Sequence, residues 1–179
     1  MPKKWSGKCN DFIVIDFETT GLSAEANEII EVSALKYIDR KFVGSYITLV
    51  KPKTRIPGYI TQINGITNEM VKDSPCIEDV MPKLIDFIGD LLIVAHNANF
   101  DMKFLKYHAE KCGYKVSNPS LDTLILSRKA FPSLTNHKLA TVAQHVGIKD
   151  GGWHRAEFDT RATAEILLKC LECLEHEVS

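Results

Sequence analysis

Long apolar runs are missing from this chain. The longest, such as Leu91 to Ala95, hold about five residues, far short of the roughly 20 that cross a bilayer as a helix. No membrane association is therefore expected. The opening MPKKWSGKCNDF carries positive charge with no apolar core behind it, so no secretory leader is expected either. An excess of positive charge is also missing. Lys and Arg number 22 against 23 Asp and Glu, for a formal charge of −1. Proteins that hold polyanions through bulk charge are normally basic, so a polyanion would have to be held here by a local arrangement. A disulfide framework is lacking as well. Cys9, Cys76, Cys112, Cys170 and Cys173 are odd in number and irregularly spaced, which suits a reducing compartment and makes the cytoplasm the expected location. Internal repeats and biased segments are absent.

What is present is an ordinary globular composition: 179 residues, 45% hydrophobic and 25% charged. That length can bury a normal core without staples. A single domain is expected over residues 11–175, with short tails at 1–10 and 176–179. So short a C-terminal tail is expected to leave no room for a docking segment.

Asp11 to Phe17 is an apolar, β-branched run of the kind covered on both faces of a sheet. Glu28 to Ile38 and Lys41 to Val50 read as two further strands joined in a hairpin around Asp39-Arg40. Lys51 to Pro75, rich in Pro, Gly and Thr, reads as a loop. Ile77, Val80, Met81, Leu84, Ile85 and Ile88 recur with helical spacing, and Gly89 stops them. Leu91 to Ala95 is a short buried strand, and a helix follows from Asn99 to about Lys111. Asp122 suits the N-cap of the next helix. Two more helices occupy about 136–146 and 157–175. A hairpin followed by alternating helix and strand predicts an α/β domain with a mixed sheet.

Four acids fall where acids are costly. Asp16 and Glu18 end the first strand, and a period of two aims both carboxylates at one face, their Cα atoms about 6.6 Å apart. Asp101 lies in the first turn of the helix after Leu91 to Ala95, where the macrodipole favours a carboxylate. It serves there as a cap, or stays free if Asn99 caps instead. Asp159 shares a helical stripe with Ala162, Thr163, Ile166, Cys170 and Cys173, the stripe that faces the sheet. Converging carboxylates raise one another's pKa and call for cations. Two divalent ions would cancel four carboxylates, and hard oxygen donors select Mg²⁺ or Mn²⁺ over Zn²⁺. Two such ions about 3.5 to 4 Å apart suit phosphodiester cleavage. His154, five residues before Asp159, suits the base that activates water.

At this point a family comes into view. DFETTGL at Asp16 to Leu22, HNANFD at His96 to Asp101 and HRAEFD at His154 to Asp159 resemble the three motifs of the DEDDh (DnaQ-like) exonuclease superfamily, in order and spacing. INGIT at Ile63 to Thr67, NPSLDTLILSR and NHKLATVAQHVGI resemble its branch of bacterial DNA polymerase III proofreading domains, of the epsilon or PolC type. The resemblance implies an RNase H-like fold with a five-stranded mixed sheet flanked by helices. It implies two-metal hydrolysis of nucleic acid from the 3' end to nucleoside 5'-monophosphates. It makes Asp16, Glu18, Asp101 and Asp159 the metal ligands and His154 the general base. Thr19, Thr20, Gly21 and Leu22 would lie near the terminal sugar, while Asn64 and Ile66 of INGIT, with Phe100, would flank the terminal nucleotide. The branch usually has His where this chain has Asn64. The implied partners are single-stranded or frayed 3' ends, DNA ahead of RNA, together with DNA polymerase III components. An RNA trimmer of the RNase T or oligoribonuclease kind shares the same five residues. A binding module that had lost catalysis would lack one of them, and none is missing.

Smaller signals remain. His96 suits a phosphate-facing role or a structural one. Trp153, after Gly151-Gly152, suits loop packing ahead of base stacking, and the glycines predict a mobile loop carrying His154. Cys170, Cys173 and His176 lack the companion ligand a structural zinc needs, so the cysteines read as small hydrophobes. Seven cations between Met102 and Lys138 form either solvated helix faces or a phosphate track.

Overall fold

The computed structural model describes residues 9–148 and 155–176. Its centre is β1 (Phe12–Thr19), a strand whose faces are both covered. Ile13, Ile15 and Phe17 enter one core cluster, and Phe12 and Val14 enter another on the opposite face. This is the period of two turning one apolar run into two interfaces. The hairpin β2 (Ile29–Ile38) and β3 (Lys41–Leu49) follows, with β2 antiparallel to β1. Asp39 and Arg40 at its turn have φ of 49° and 61°, the left-handed pair that matches strand twist. The Arg40 amide donates to Asn10 O at 2.8 Å, and its guanidinium pairs with Glu175.

The segment read as a loop carries two short helices, α1 (Gly58–Asn64) and α2 (Asn68–Val71), separated by Gly65 at φ 74°. Helices of seven and four residues display little of a period, and Pro and Gly punctuate the segment. Ile56, Ile60, Ile66 and Val71 anchor the pair on Ile30 of β2.

Next come α3 (Ile77–Ile88), β4 (Leu92–Ala95), α4 (Ala98–Lys111), β5 (Ser120–Asp122), α5 (Thr123–Ala130), α6 (Leu139–His145) and α7 (Ala156–His176). β4 runs parallel to β1, and β5 parallel to β4. The sheet order is β3-β2-β1-β4-β5, the expected five-stranded mixed sheet. β5, three residues long, is below the length at which alternation is visible. Asp122 caps α5 as expected, accepting from the Leu124 amide at 2.9 Å. The cap of α4 differs from expectation: Asn97 holds it at φ 65°, and Asn99 lies inside the helix. α3 and α4 cover one face of the sheet, and α5, α6 and α7 the other. Cys170 is buried in that second layer as a packing residue. No helix among the described residues is long and apolar enough to cross a membrane.

Candidate active site

Asp16 and Glu18 leave β1 on the face that α7 covers, the register their spacing dictates. Asp159, in the first turn of α7, meets them there. One carboxylate oxygen from each of Asp16, Glu18 and Asp159 lies within 4.8 Å of the others. Asp101 arrives from α4. β1 pairs with β4 only as far as Val14; beyond it, Asp101 Oδ1 accepts the Phe17 amide at 3.1 Å. The carboxylate thus takes up a sheet hydrogen bond that β4 no longer supplies, and fixes α4 against the strand between the two other acids. Asp101 is 3% exposed, and it accepts from the strand amide while standing in the first turn of α4.

Burial and like charge dominate this site. Burial first, then Asp101, Asp159, Glu18 and Glu31, push Asp16 well above the ordinary carboxylate range. Burial raises Glu18 to about 7 against the opposing pull of an Asn64 hydrogen bond. Burial also raises Asp101 to about 8, although the Phe17 amide favours its charged form. All donors in the cluster are hard carboxylate oxygens. The set fits a hard divalent cation, which would replace protons as the neutralising charge.

The other expected residues fall around these acids. Asn64, at the end of α1, donates from Nδ2 to Glu18 Oε2 at 3.2 Å, and its Oδ1 accepts the Ile66 amide at 3.0 Å. Ile66 is fully buried. Thr19 donates to Gly21 O at 2.6 Å, and the Thr20 hydroxyl accepts the Glu28 amide at 2.9 Å. These bonds turn the chain sharply after β1. A Cβ on Gly21 would stand 2.3 Å from Asn27 Oδ1, so any larger residue there must displace the Asn27 side chain. Leu22 projects from it, 88% exposed. Phe100 packs on Phe104 with ring centroids 4.9 Å apart. His96 has both ring nitrogens engaged, Nδ1 with Thr123 Oγ1 at 2.9 Å and Nε2 with His137 O at 2.8 Å. Burial lowers its pKa, and its ring ties the end of β4 to α5. His154 and Trp153 lie outside the described residues.

Sequence reasoning missed Glu31. It faces Glu18 across the β1–β2 pair, is 2% exposed, and takes the Arg155 guanidinium at 2.7 Å and the Ala156 amide at 3.0 Å. The signal was available: Glu31 is a lone charge inside the apolar run of β2, and such a charge must find a partner.

A mixed sheet with carboxylates converging at the end of its middle strand defines a carboxylate-centred nuclease of the RNase H-like class. The chain belongs to the exonuclease family RNase_T, whose family model matches residues 13–167. It is similar to the DNA polymerase III PolC-type of Caldanaerobacter subterraneus subsp. tengcongensis, 47% identical over 165 residues, which is 92% of this chain and 12% of that protein. It is also similar to the DNA polymerase III subunit epsilon of Aquifex aeolicus, 41% identical over 162 residues, 90% of this chain and 80% of that one. Among solved structures, Exonuclease X in complex with 5' overhanging duplex DNA superposes with a TM-score of 0.72 at 29% identity, covering 94% of this chain and 93% of that one. E. coli Exonuclease I in complex with a dA16 oligonucleotide superposes with a TM-score of 0.81 at 16% identity, covering 94% and 42%, a likeness of fold. The chain spans only 12% of the length of the PolC-type relatives.

Proposed function

We propose that this domain removes nucleotides from the 3' end of DNA, releasing nucleoside 5'-monophosphates, as a proofreading exonuclease of the DNA polymerase III kind. The observation that carries the reading is the meeting of Asp16, Glu18 and Asp159 within 4.8 Å, with Asp101 anchored on the amide between the first two. These four would hold two Mg²⁺ or Mn²⁺ ions, which when bound stabilise charge on the attacking and leaving oxygens of the phosphodiester. His154 takes the proton of the attacking water. Leu22 and Phe100 border the terminal nucleotide, Ile66 packs beneath them as a buried support, and the Thr19–Gly21 turn sets the strand end against the acids.

The test is digestion of 5'-labelled single-stranded DNA, of duplex DNA with a mismatched 3' end, and of RNA of the same sequence, with Mg²⁺, with Mn²⁺ and in EDTA. Shortening of the DNA strands from the 3' end, in metal only and faster than RNA, is the expected result. Digestion that survives EDTA would overturn the metal reading, and preference for RNA would move the domain to the trimming branch. His154→Ala should lower the rate by about 10² to 10⁴ with little change in substrate affinity; a rate within threefold of the parent would place the base elsewhere.

A further inference from the structure

Asn64 occupies a place that the resemblance gives to the terminal nucleotide, yet its polar atoms are turned the other way. It is 4% exposed, so little of it is open to a ligand. Its Nδ2 reaches Glu18 Oε2 at 3.2 Å, and its Oδ1 is held by the Ile66 amide at 3.0 Å. The flipped amide would face oxygen with oxygen and nitrogen with nitrogen, so the assignment is forced by its two partners. The left-handed Gly65 at φ 74° lets Ile66 fold back onto Asn64, and Thr61 Oγ1 closes the same turn on Ile66 O at 2.8 Å. The side chain is therefore clamped at one end by backbone and presents a fixed donor at the other. Glu18 sits on a strand end next to the register shift after it. Asn64 holds Oε2, and the same carboxylate has an oxygen within 4.8 Å of those of Asp16 and Asp159.

We infer that Asn64 is a positioning residue for the metal ligand Glu18, acting from the α1 turn on cation binding and not on the nucleotide. The inference rests on the metal-dependent reading above. Partners that orient a ligand typically change metal affinity or activity by about 10 to 100-fold when removed.

The experiment is calorimetric titration of Mn²⁺ into the DNA-free protein, followed by digestion rates over a range of Mn²⁺ and DNA concentrations. Asn64→Leu, close in volume and without a donor, should weaken Mn²⁺ binding about 10-fold. Its digestion rate should recover at high Mn²⁺, with KM for DNA within twofold of the parent. Asn64→Ser, too short to reach Glu18, should do the same and serves if the leucine variant misfolds. Asn64→His retains a donor and an acceptor and should bind Mn²⁺ within threefold of the parent. Thr61→Ala loosens the same turn without touching Glu18 and should leave Mn²⁺ binding unchanged. Equal weakening by Thr61→Ala and Asn64→Leu would reduce Asn64 to a loop-holding residue. Unchanged Mn²⁺ affinity with a raised KM for DNA would make it a nucleotide contact. Either result overturns the inference and leaves the nuclease reading standing, whereas a parent protein that binds no Mn²⁺ overturns both.

Discussion

Each acid at the centre of this protein opposes folding until something neutralises it. Glu18 and Asp101 have folded-state pKa values of about 7 and about 8, against ordinary values of 4.5 and 3.8. A carboxyl whose pKa folding has raised supports the fold fully below its unfolded value, and the support is lost as pH climbs through the folded value. The metal-free protein should therefore weaken between about pH 4 and pH 8. Melting in EDTA should show Tm lower at pH 8 than at pH 5 by on the order of 5 °C, and Mg²⁺ at pH 8 should restore it. A Tm that stays flat or rises in EDTA would contradict this crowding. The same reasoning sets stability against activity. Asp16→Asn removes one charge from the cluster, so it should raise stability in EDTA by on the order of 1 kcal/mol. It should also abolish metal-dependent digestion; a variant that digests normally would remove Asp16 from the ligand set. Asp16, Glu18 and Asp159 were legible because each stands in an apolar context, after FIVI or on the inward stripe of the last helix, whereas Asp101 stood out through the resemblance of HNANFD. Their attachments were not legible. The Asp101 bond to Phe17 and the Asn64 bond to Glu18 join residues 84 and 46 positions apart, and no local pattern reports such a distance.

At the scale of elements, α7 decides where Asp159 stands, and its start is held by a clamp of unequal halves. Glu31 is 3% exposed on its side chain and Arg155 47% exposed. Removing the arginine strands a buried carboxylate beside Glu18, with the Ala156 amide as its remaining partner, whereas removing the glutamate charge leaves an arginine that can turn to water. Breaking a buried pair costs about 3 to 5 kcal/mol when the surviving charge stays buried. Arg155→Ala should therefore cost about 3 kcal/mol and Glu31→Gln closer to 1 kcal/mol, measured by urea unfolding in EDTA. The reverse order would mean that the Arg155 pairing is not what holds the start of α7. The long elements of the protein were legible because ten to twenty residues display their period. α1, α2 and β5 were not, because tertiary contacts form them: Ile60, Ile66 and Val71 gather on Ile30, and β5 exists as the parallel partner of β4.

For the molecule as a whole, the formal charge of −1 has to be reconciled with a polyanionic substrate. The two divalent ions proposed above would add four charges to that −1, giving +3, and would add them at one point, the end of β1. Elsewhere the cations are dispersed. Lys103, Lys106, Lys111, Lys115, Arg128, Lys129 and Lys138 are all exposed, but only Lys106 and Lys129 line the groove of about 480 Å³ between α4 and α5, and Asp122 shares it. Lys111 lies over the Tyr107 ring, away from that groove. Binding should accordingly depend on the metal site and on few phosphate contacts. For a single strand, log K falls with log salt at a slope of about −0.7 per phosphate neutralised. A strand protected at its 3' end by phosphorothioate linkages, titrated in Mg²⁺ between about 50 and 200 mM salt, should give a slope near −2. Reversing both groove lysines with Lys106→Glu and Lys129→Glu should leave that slope within one unit. A slope steeper than about −4 that the double reversal flattens would establish the α4–α5 groove as a phosphate track and make charge on the helix faces, not the carboxylate centre, the main source of affinity.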